Sequence, residues 1–138
     1  MKLKMMVETG GHVPTRAHKT DAGLDLYSMC SLDIPANGTA VFDTGVHVAI
    51  PEGYVGFVKS KSSLMAQRIT TDGTIDSGYT GSIRVVLFNH STLSHKIEAG
   101  QKIAQLVILP IITPEVELVG YMDKTERGSG GFGSTGKF

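Results

Sequence analysis

The apolar runs of this chain are short, rich in β-branched residues and stopped repeatedly by Gly, Pro or Asn, and that punctuation restricts the folds open to it. Leu3 to Val7 reads as a first strand, closed off by Gly10-Gly11 and Pro14. Leu24 to Tyr27 reads as a second, and a run through Ile34 stops at Pro35-Ala36-Asn37-Gly38. Val41 to Ile50 reads as one longer strand bulged at Gly45, which Pro51-Glu52-Gly53 turns into Tyr54 to Lys59. Ile75 and the run Ile83 to Phe88 read as the arms of a hairpin, with Ser77-Gly78 supplying the positive-φ residue of its turn. Lys102 to Leu109 and Val116 to Val119 complete the strands. Only Ser63 to Arg68 strings helix formers together, with Ser63 placed to cap them. The pattern predicts an all-β domain over residues 1–121, with turns at sandwich or jelly-roll spacing and one short helix.

Charge and cysteine content narrow the partners. Thirteen basic and thirteen acidic residues cancel, so no bulk field draws the chain to nucleic acid or to an anionic membrane. No run approaches the roughly 18 apolar residues of a membrane helix, and Glu8 interrupts the N-terminal apolar run too early for a signal peptide. The expectation is a soluble, cytoplasmic protein. The single cysteine, Cys30, excludes an intrachain disulfide and reads as a core residue. His12, His18, His47, His90 and His95 lack the spacing of a zinc site.

Two stretches stand apart from this β pattern. In Gly73-Thr74-Ile75-Asp76-Ser77-Gly78-Tyr79-Thr80-Gly81, glycines bracket one carboxylate and one aromatic ring. Taken alone, Asp76 serves a turn and Tyr79 a sheet surface as readily as a site. From residue 122 to 138 the composition becomes that of a mobile arm, with too little apolar surface to offset the entropy of packing. An inert linker has no use for Arg127, a lone Phe132 and the pair Ser134-Thr135. Glycines beside Arg, Ser and Thr suit close approach to phosphate oxygens, and a lone aromatic offers a face to a base.

Set in order, five segments resemble the five motifs of the trimeric dUTPases: Ala22-Gly23-Leu24-Asp25-Leu26, Lys61-Ser62-Ser63-Leu64, Gly73 to Gly81, Gly100-Gln101-Lys102-Ile103-Ala104-Gln105-Leu106, and Arg127 to Gly136. Each motif is weak by itself; the five in sequence, ending in Gly-Phe-Gly-Ser-Thr-Gly, are specific. The resemblance implies a distorted jelly-roll subunit, a homotrimer with three shared active sites, and Mg²⁺-dependent hydrolysis of dUTP to dUMP and pyrophosphate.

It also implies roles for matching residues. Asp76 orients the attacking water and meets the sugar 3′-hydroxyl, Gln105 lies near the α-phosphate, and Asp25 holds Mg²⁺ through water. Lys61, Ser62 and Ser63 bind phosphates. Gly73, Thr74 and Ile75 form the wall that excludes a thymine methyl, and Tyr79 lies against the deoxyribose. Arg127 reaches the γ-phosphate, Phe132 covers uracil, and Gly133, Ser134 and Thr135 complete the closing arm. The chain departs from the family pattern at Lys61, usually Arg, and at Gln101, usually Asp; the loop from Met65 to Asp72 reads as short.

Two other readings carry their own discriminants. A dCTP deaminase shares the Lys61-Ser62-Ser63 and Ile75-Asp76-Ser77-Gly78 resemblances but places a Glu where this chain has Val86, and Arg84 to Asn89 has no carboxylate. A non-enzymatic module whose tail docks on a regulatory protein partner would have little reason to keep Asp25, Asp76, Gln105 and Arg127 together.

Overall fold

Eleven strands and one helical turn form in a computed structural model that describes residues 1–138. In chain order they are β1 (Lys4–Val7), β2 (Leu24–Tyr27), β3 (Leu32–Ile34), β4 (Thr39–Asp43), β5 (Val46–Ala49), β6 (Tyr54–Ser60), α1 (Ser62–Met65), β7 (Ile69–Thr70), β8 (Asp72–Ile75), β9 (Arg84–Asn89), β10 (His95–Ile97) and β11 (Lys102–Pro110). All ladders are antiparallel. They make a four-stranded sheet in the order β2-β11-β6-β8, a three-stranded sheet β4-β9-β7, and the pairs β1-β5 and β10-β3.

One core unites these sheets. Leu26, Ile34, Phe42, Val46, Val58, Val85, Leu87, Ile97 and Leu106 belong to a single buried cluster, so every sheet lends it a face. Along β9 the alternation is regular, with Val85, Leu87 and Asn89 turned inward. Along β11 it is broken, because Ile103 and Ala104 are both buried where the ladder to β2 slips between Lys102 and Ala104. The bulge resets the pleat, and Gln105 emerges on the opposite face from Ala104 and Leu106.

Several sequence expectations need correction. Val41 to Ile50 is not one bulged strand: β4 joins β9 and β5 joins β1, with a corner between them at Thr44-Gly45. Thr44 fixes that corner by donating from both its amide and its hydroxyl to the Ile83 carbonyl, at 3.1 and 2.7 Å. Gly45 takes φ +65, and an added Cβ would run into Met29 Sδ. The hairpin expected between Ile75 and Ile83 is also absent. β8 pairs with β6 while β9 pairs with β4 and β7, so residues 76–83 cross between sheets, and Gly78 does not take a positive φ.

Ser63 does not cap the helix. Lys61 holds the N-cap position without a side-chain hydrogen bond, and the helix is a single turn. Val116 to Val119 forms no strand: β11, ending at Pro110, is the last. Cys30 is exposed in the turn after β2 and is not a core residue.

Gly45→Ala should therefore lower the denaturant midpoint, since an L-residue in the left-handed region costs about 1–2 kcal/mol before the clash with Met29 is counted. An unchanged midpoint in urea unfolding would show that the corner tolerates a side chain.

Candidate active site

The four-stranded sheet sets the site. In its registers Gln105 on β11 stands opposite Asp25 on β2 and opposite Lys59 on β6, and Lys59 stands opposite Asp72 on β8. Directly opposed residues project from the same face, so a polar row crosses all four strands. Lys59 Nζ and Asp72 Oδ1 close one end of that row at 3.1 Å.

Asp25 anchors the other end. Only 6% of the residue is exposed, and its two oxygens face two ammonium groups, Lys61 Nζ at 2.5 Å and Lys102 Nζ at 3.0 Å. Burial works against the charge on Asp25, but hydrogen bonds and positive charge from Lys61 and Lys102 outweigh it and hold the carboxyl below the usual carboxylate range. The same contact raises the Lys102 ammonium above its ordinary value, first through the hydrogen bond to Asp25 and then through its charge. Lys102 also lies 6.0 Å from the centroid of the Tyr27 ring, over its face.

Gln105 is seated by two features. Its Nε2 donates to the Ser60 carbonyl at 3.0 Å, one residue before Lys61. Its amide oxygen also fills the space over Gly23, where an added Cβ would overlap Oε1. The glycine of Ala22-Gly23-Leu24-Asp25 is thus required by the side chain of Gln105 from a distant motif. Ser62 and Ser63 lie exposed in the helical turn that follows Lys61.

The Gly73–Gly81 stretch enters the same sheet but points away from this group. Gly73, Thr74 and Ile75 lie on β8, paired with Val58, Phe57 and Gly56. Asp76 then leaves the sheet at its far end, four residues beyond Asp72 and so roughly 13 Å along the strands from the Gln105 row at about 3.3 Å per residue. There it lines a polar groove with Glu52, Gly53, Tyr54, Ser77, Gly78, Ile111 and Thr113, and neither Asp25, Lys61 nor Gln105 reaches that groove. The Tyr79 amide closes a turn onto the Asp76 carbonyl, and the Tyr79 hydroxyl donates to the Ser82 carbonyl at 2.8 Å. That folded-back ring needs Gly81, whose added Cβ would meet the Tyr79 hydroxyl.

The tail joins neither group. Arg127 donates through Nε to the Gly130 carbonyl at 2.8 Å, Phe132 is fully exposed, and Gly133, Ser134 and Thr135 are exposed beside it. One chain therefore gathers Asp25, Lys61 and Gln105, and holds Asp76 with Tyr79, and Arg127 with Phe132, as two separate groups. Sequence reading missed Lys102 and the Lys59–Asp72 pair, because only strand register brings them beside Asp25 and Gln105. No carboxylate lies on β9, where Val86 is half-buried.

A sequence model of the dUTPase family matches residues 9–136, which takes in all five motifs. The chain belongs to the dUTPase family. It is similar to the deoxyuridine 5′-triphosphate nucleotidohydrolase of Gloeothece citriformis, 41% identical over 99% of this chain and 97% of the relative. Among solved dUTPases, a mutant of the Staphylococcus bacteriophage 80alpha enzyme with dUpNHpp is similar at 33% identity and a TM-score of 0.91, covering 98% of each chain. A mutant of the dUTPase from phage phi11 of S. aureus, whose structure reveals the coordination of a structural Mg(II) ion, is similar at 31% identity and a TM-score of 0.82 over 88% of this chain and 98% of that one.

Within this dUTPase-family chain the Lys61–Asp25–Lys102 cluster has a calculable pH response. A lowered carboxyl pKa stabilises the fold above the ordinary value of about 3.9, and that contribution is lost as pH falls through the folded value. Asp25→Asn should be less stable than the native chain at neutral pH, with the gap closing below about pH 4. Urea midpoints of both proteins across that range test this; a gap that stays constant into acid would mean that charge on Asp25 contributes nothing to stability.

Proposed function

We propose that this chain hydrolyses dUTP to dUMP and pyrophosphate, limiting uracil in DNA and supplying dUMP for dTMP synthesis. The observation that carries the reading is the convergence, in a dUTPase-family chain, of Asp25 on β2, Gln105 on β11 and Lys61 just past the end of β6. The reaction breaks the bond between the α-phosphorus and the oxygen that leaves with pyrophosphate, and water supplies the new oxygen. What such a reaction asks of the protein is a carboxylate to orient water, cations on the phosphates and exclusion of bulk solvent.

Asp76 supplies the carboxylate: it accepts a hydrogen bond from the attacking water and turns the lone pair towards phosphorus. Gln105, with its Nε2 held by Ser60, presents its amide to the α-phosphate region. Lys61 brings positive charge to the phosphates, with Ser62 and Ser63 as hydroxyl donors, and Lys102 adds a second ammonium beside it. Gly73, Thr74 and Ile75 line the base, and Tyr79 lies against the deoxyribose.

The donor set fits Mg²⁺ held through water. No three His, Cys, Asp or Glu side chains converge, and Asp25 offers one ionised carboxylate whose two oxygens each meet an ammonium group, which leaves it to hold a hydrated ion through water and not by direct ligation. Mg²⁺ retains several waters and needs only one or two carboxylates when phosphates share it. Bound there, the ion would neutralise phosphate charge; Asp25 is the residue that would hold it.

Because Asp76 and Asp25 lie apart in one chain, we place the working site between copies in a homotrimer. The exposed apolar segment after β11, with Ile112 at 86%, Val116 at 88% and Leu118 at 93% exposure, supports assembly. Residues 122–138 then act as a mobile arm, with Arg127 on the γ-phosphate and Phe132, Gly133, Ser134 and Thr135 closing over the nucleotide. No helix is long and apolar enough to cross a membrane, and a free, exposed Cys30 suits a reducing compartment; we place the enzyme in the cytoplasm.

Pyrophosphate release from dUTP, dCTP, dTTP and UTP, with and without Mg²⁺, tests the activity directly. Activity confined to dUTP with Mg²⁺ is expected, and release from none of the four would overturn the reading. Asp76→Asn should lose turnover by orders of magnitude yet still bind a non-hydrolysable dUTP analogue.

The shared site makes a separate forecast. Asp76→Asn and Arg127→Ala chains, each inactive alone, should on co-refolding in equal amounts recover about one quarter of native activity, since about three quarters of random rings are mixed and each holds one intact site of three. No recovery after verified subunit exchange would place the whole site within one chain.

A further inference from the structure

Residues 76–81 carry Asp76 and Tyr79 between two sheets, and their hydrogen bonds to other parts of the chain are few. The Tyr79 amide bonds within the loop and the Tyr79 hydroxyl reaches only Ser82. A single hydrogen bond joins 76–81 to a distant segment: His47 Nδ1 to the Thr80 carbonyl, at 2.8 Å. At its far end the loop is fixed by Ser82, whose hydroxyl donates to Asp43 Oδ1, and by Ile83, whose amide donates to the Val46 carbonyl. Between β8 and Ser82, His47 is therefore the loop's tie to the rest of the fold.

The other side of the imidazole is occupied as well. His47 Nε2 lies 3.2 Å from Glu8 Oε1, just past the end of β1, and only 19% of the His47 side chain is exposed. A backbone carbonyl can only accept, so Nδ1 carries a proton. An ionised carboxylate can only accept too, so the bond to Glu8 is complete only when Nε2 carries a second proton. The geometry is thus that of an imidazolium spanning two acceptors on two elements.

We infer that His47 is a positioning residue for the Asp76–Tyr79 loop: as an imidazolium it latches the Thr80 carbonyl to Glu8, and its deprotonation slackens the loop that presents Asp76 and Tyr79 to the nucleotide. The charged groups around it favour the latched form. Glu8 faces it from the end of β1, and Asp43 adds negative charge from β4, although Arg84 beside Asp43 offsets part of it. Lys4 lines the same groove with Met5, Met6, Val48 and Ala49 and opposes the charge. The net result is a raised imidazole pKa, caused first by the hydrogen bond to Thr80 and then by that to Glu8. A raised folded value means that the latch is complete below the ordinary value of about 6.5 and is lost as pH rises through the folded one. His47 lies outside the five motifs, so this device belongs to the β1-β5 pair and to the loop it touches.

The effect on turnover rests on the dUTP-hydrolysing reading, whereas the latch itself does not, and the experiment keeps the two apart. In the full-length protein, NMR should follow the His47 ring and the Gly81 amide, which belongs to the same peptide group as the Thr80 carbonyl. Both should titrate with one midpoint above about 6.5, and Glu8→Gln should lower that midpoint. In parallel, kcat/KM for dUTP is compared between the native enzyme and His47→Gln at each pH, which cancels titration of substrate and of all shared groups. The ratio should be about five- to tenfold near pH 6 and approach one above the midpoint, with Glu8→Gln moving the step to lower pH. A Gly81 amide that ignores the His47 titration overturns the latch. A ratio that stays flat with pH overturns the positioning role, even if His47→Gln is less stable. Absence of any dUTP hydrolysis by the native chain would strike the functional reading and leave the NMR result to decide the latch.

Discussion

Because β11 is hydrogen-bonded to β2 on one side and to β6 on the other, the site depends on those two ladders holding their register. A slip of one residue in either would exchange Gln105 for Ala104 or Leu106 on the polar face and turn an amide into the core. The slip is resisted from both faces. Ile103, Ala104 and Leu106 are buried in the common cluster, and Gln105 is pinned between the Ser60 carbonyl and the empty space over Gly23. The bulge at Lys102–Ala104 matters for the same reason, since it lets the strand bury two successive residues and still deliver Gln105 outward.

Electrostatics at Asp25 follow from that frame. Two ammonium groups around one nearly buried carboxylate leave a local surplus of positive charge in a chain whose formal charges otherwise cancel. Lys61 and Lys102 are partly exposed, so solvent screens each pair and neither is a large stabilising element by itself. Their importance is directional: a local field in an otherwise neutral protein concentrates a polyanion at one end of one sheet.

The all-β class was legible because β-branched runs ended by Gly, Pro and Asn leave few alternatives, and most strand positions were legible from the same pattern. The failures share a physical origin. At Thr44-Gly45 and at 76–83 the chain moves from one sheet to another, and local sequence looks the same whether a strand continues, folds back as a hairpin or changes sheet. Pairing partners decide, and partners are remote: Val46 bonds Ile83, and β8 chooses β6 over β9. The site divides likewise. Asp25, Asp76 and Gln105 could be singled out by resemblance to motifs, while Lys102 and His47 could not, because a lysine at a strand start and a histidine in an apolar run carry no signal until registers place them against Asp25 and Thr80. Val116 to Val119 has a strand's composition yet joins no ladder, so its pattern described a propensity that no pairing took up.

That last segment bears on how a newly made chain survives. From Ile111 to Met122 the chain shows Ile112, Val116, Leu118, Tyr121 and Met122 to solvent as one oily ribbon following the last strand. Such a ribbon is what chaperones and proteases recognise in a newly made chain, and in the homotrimer proposed above its exposure would be relieved by mass action when copies meet. The lifetime of the protein would then scale with its own abundance, scarce chains being cleared and plentiful ones sheltered by one another.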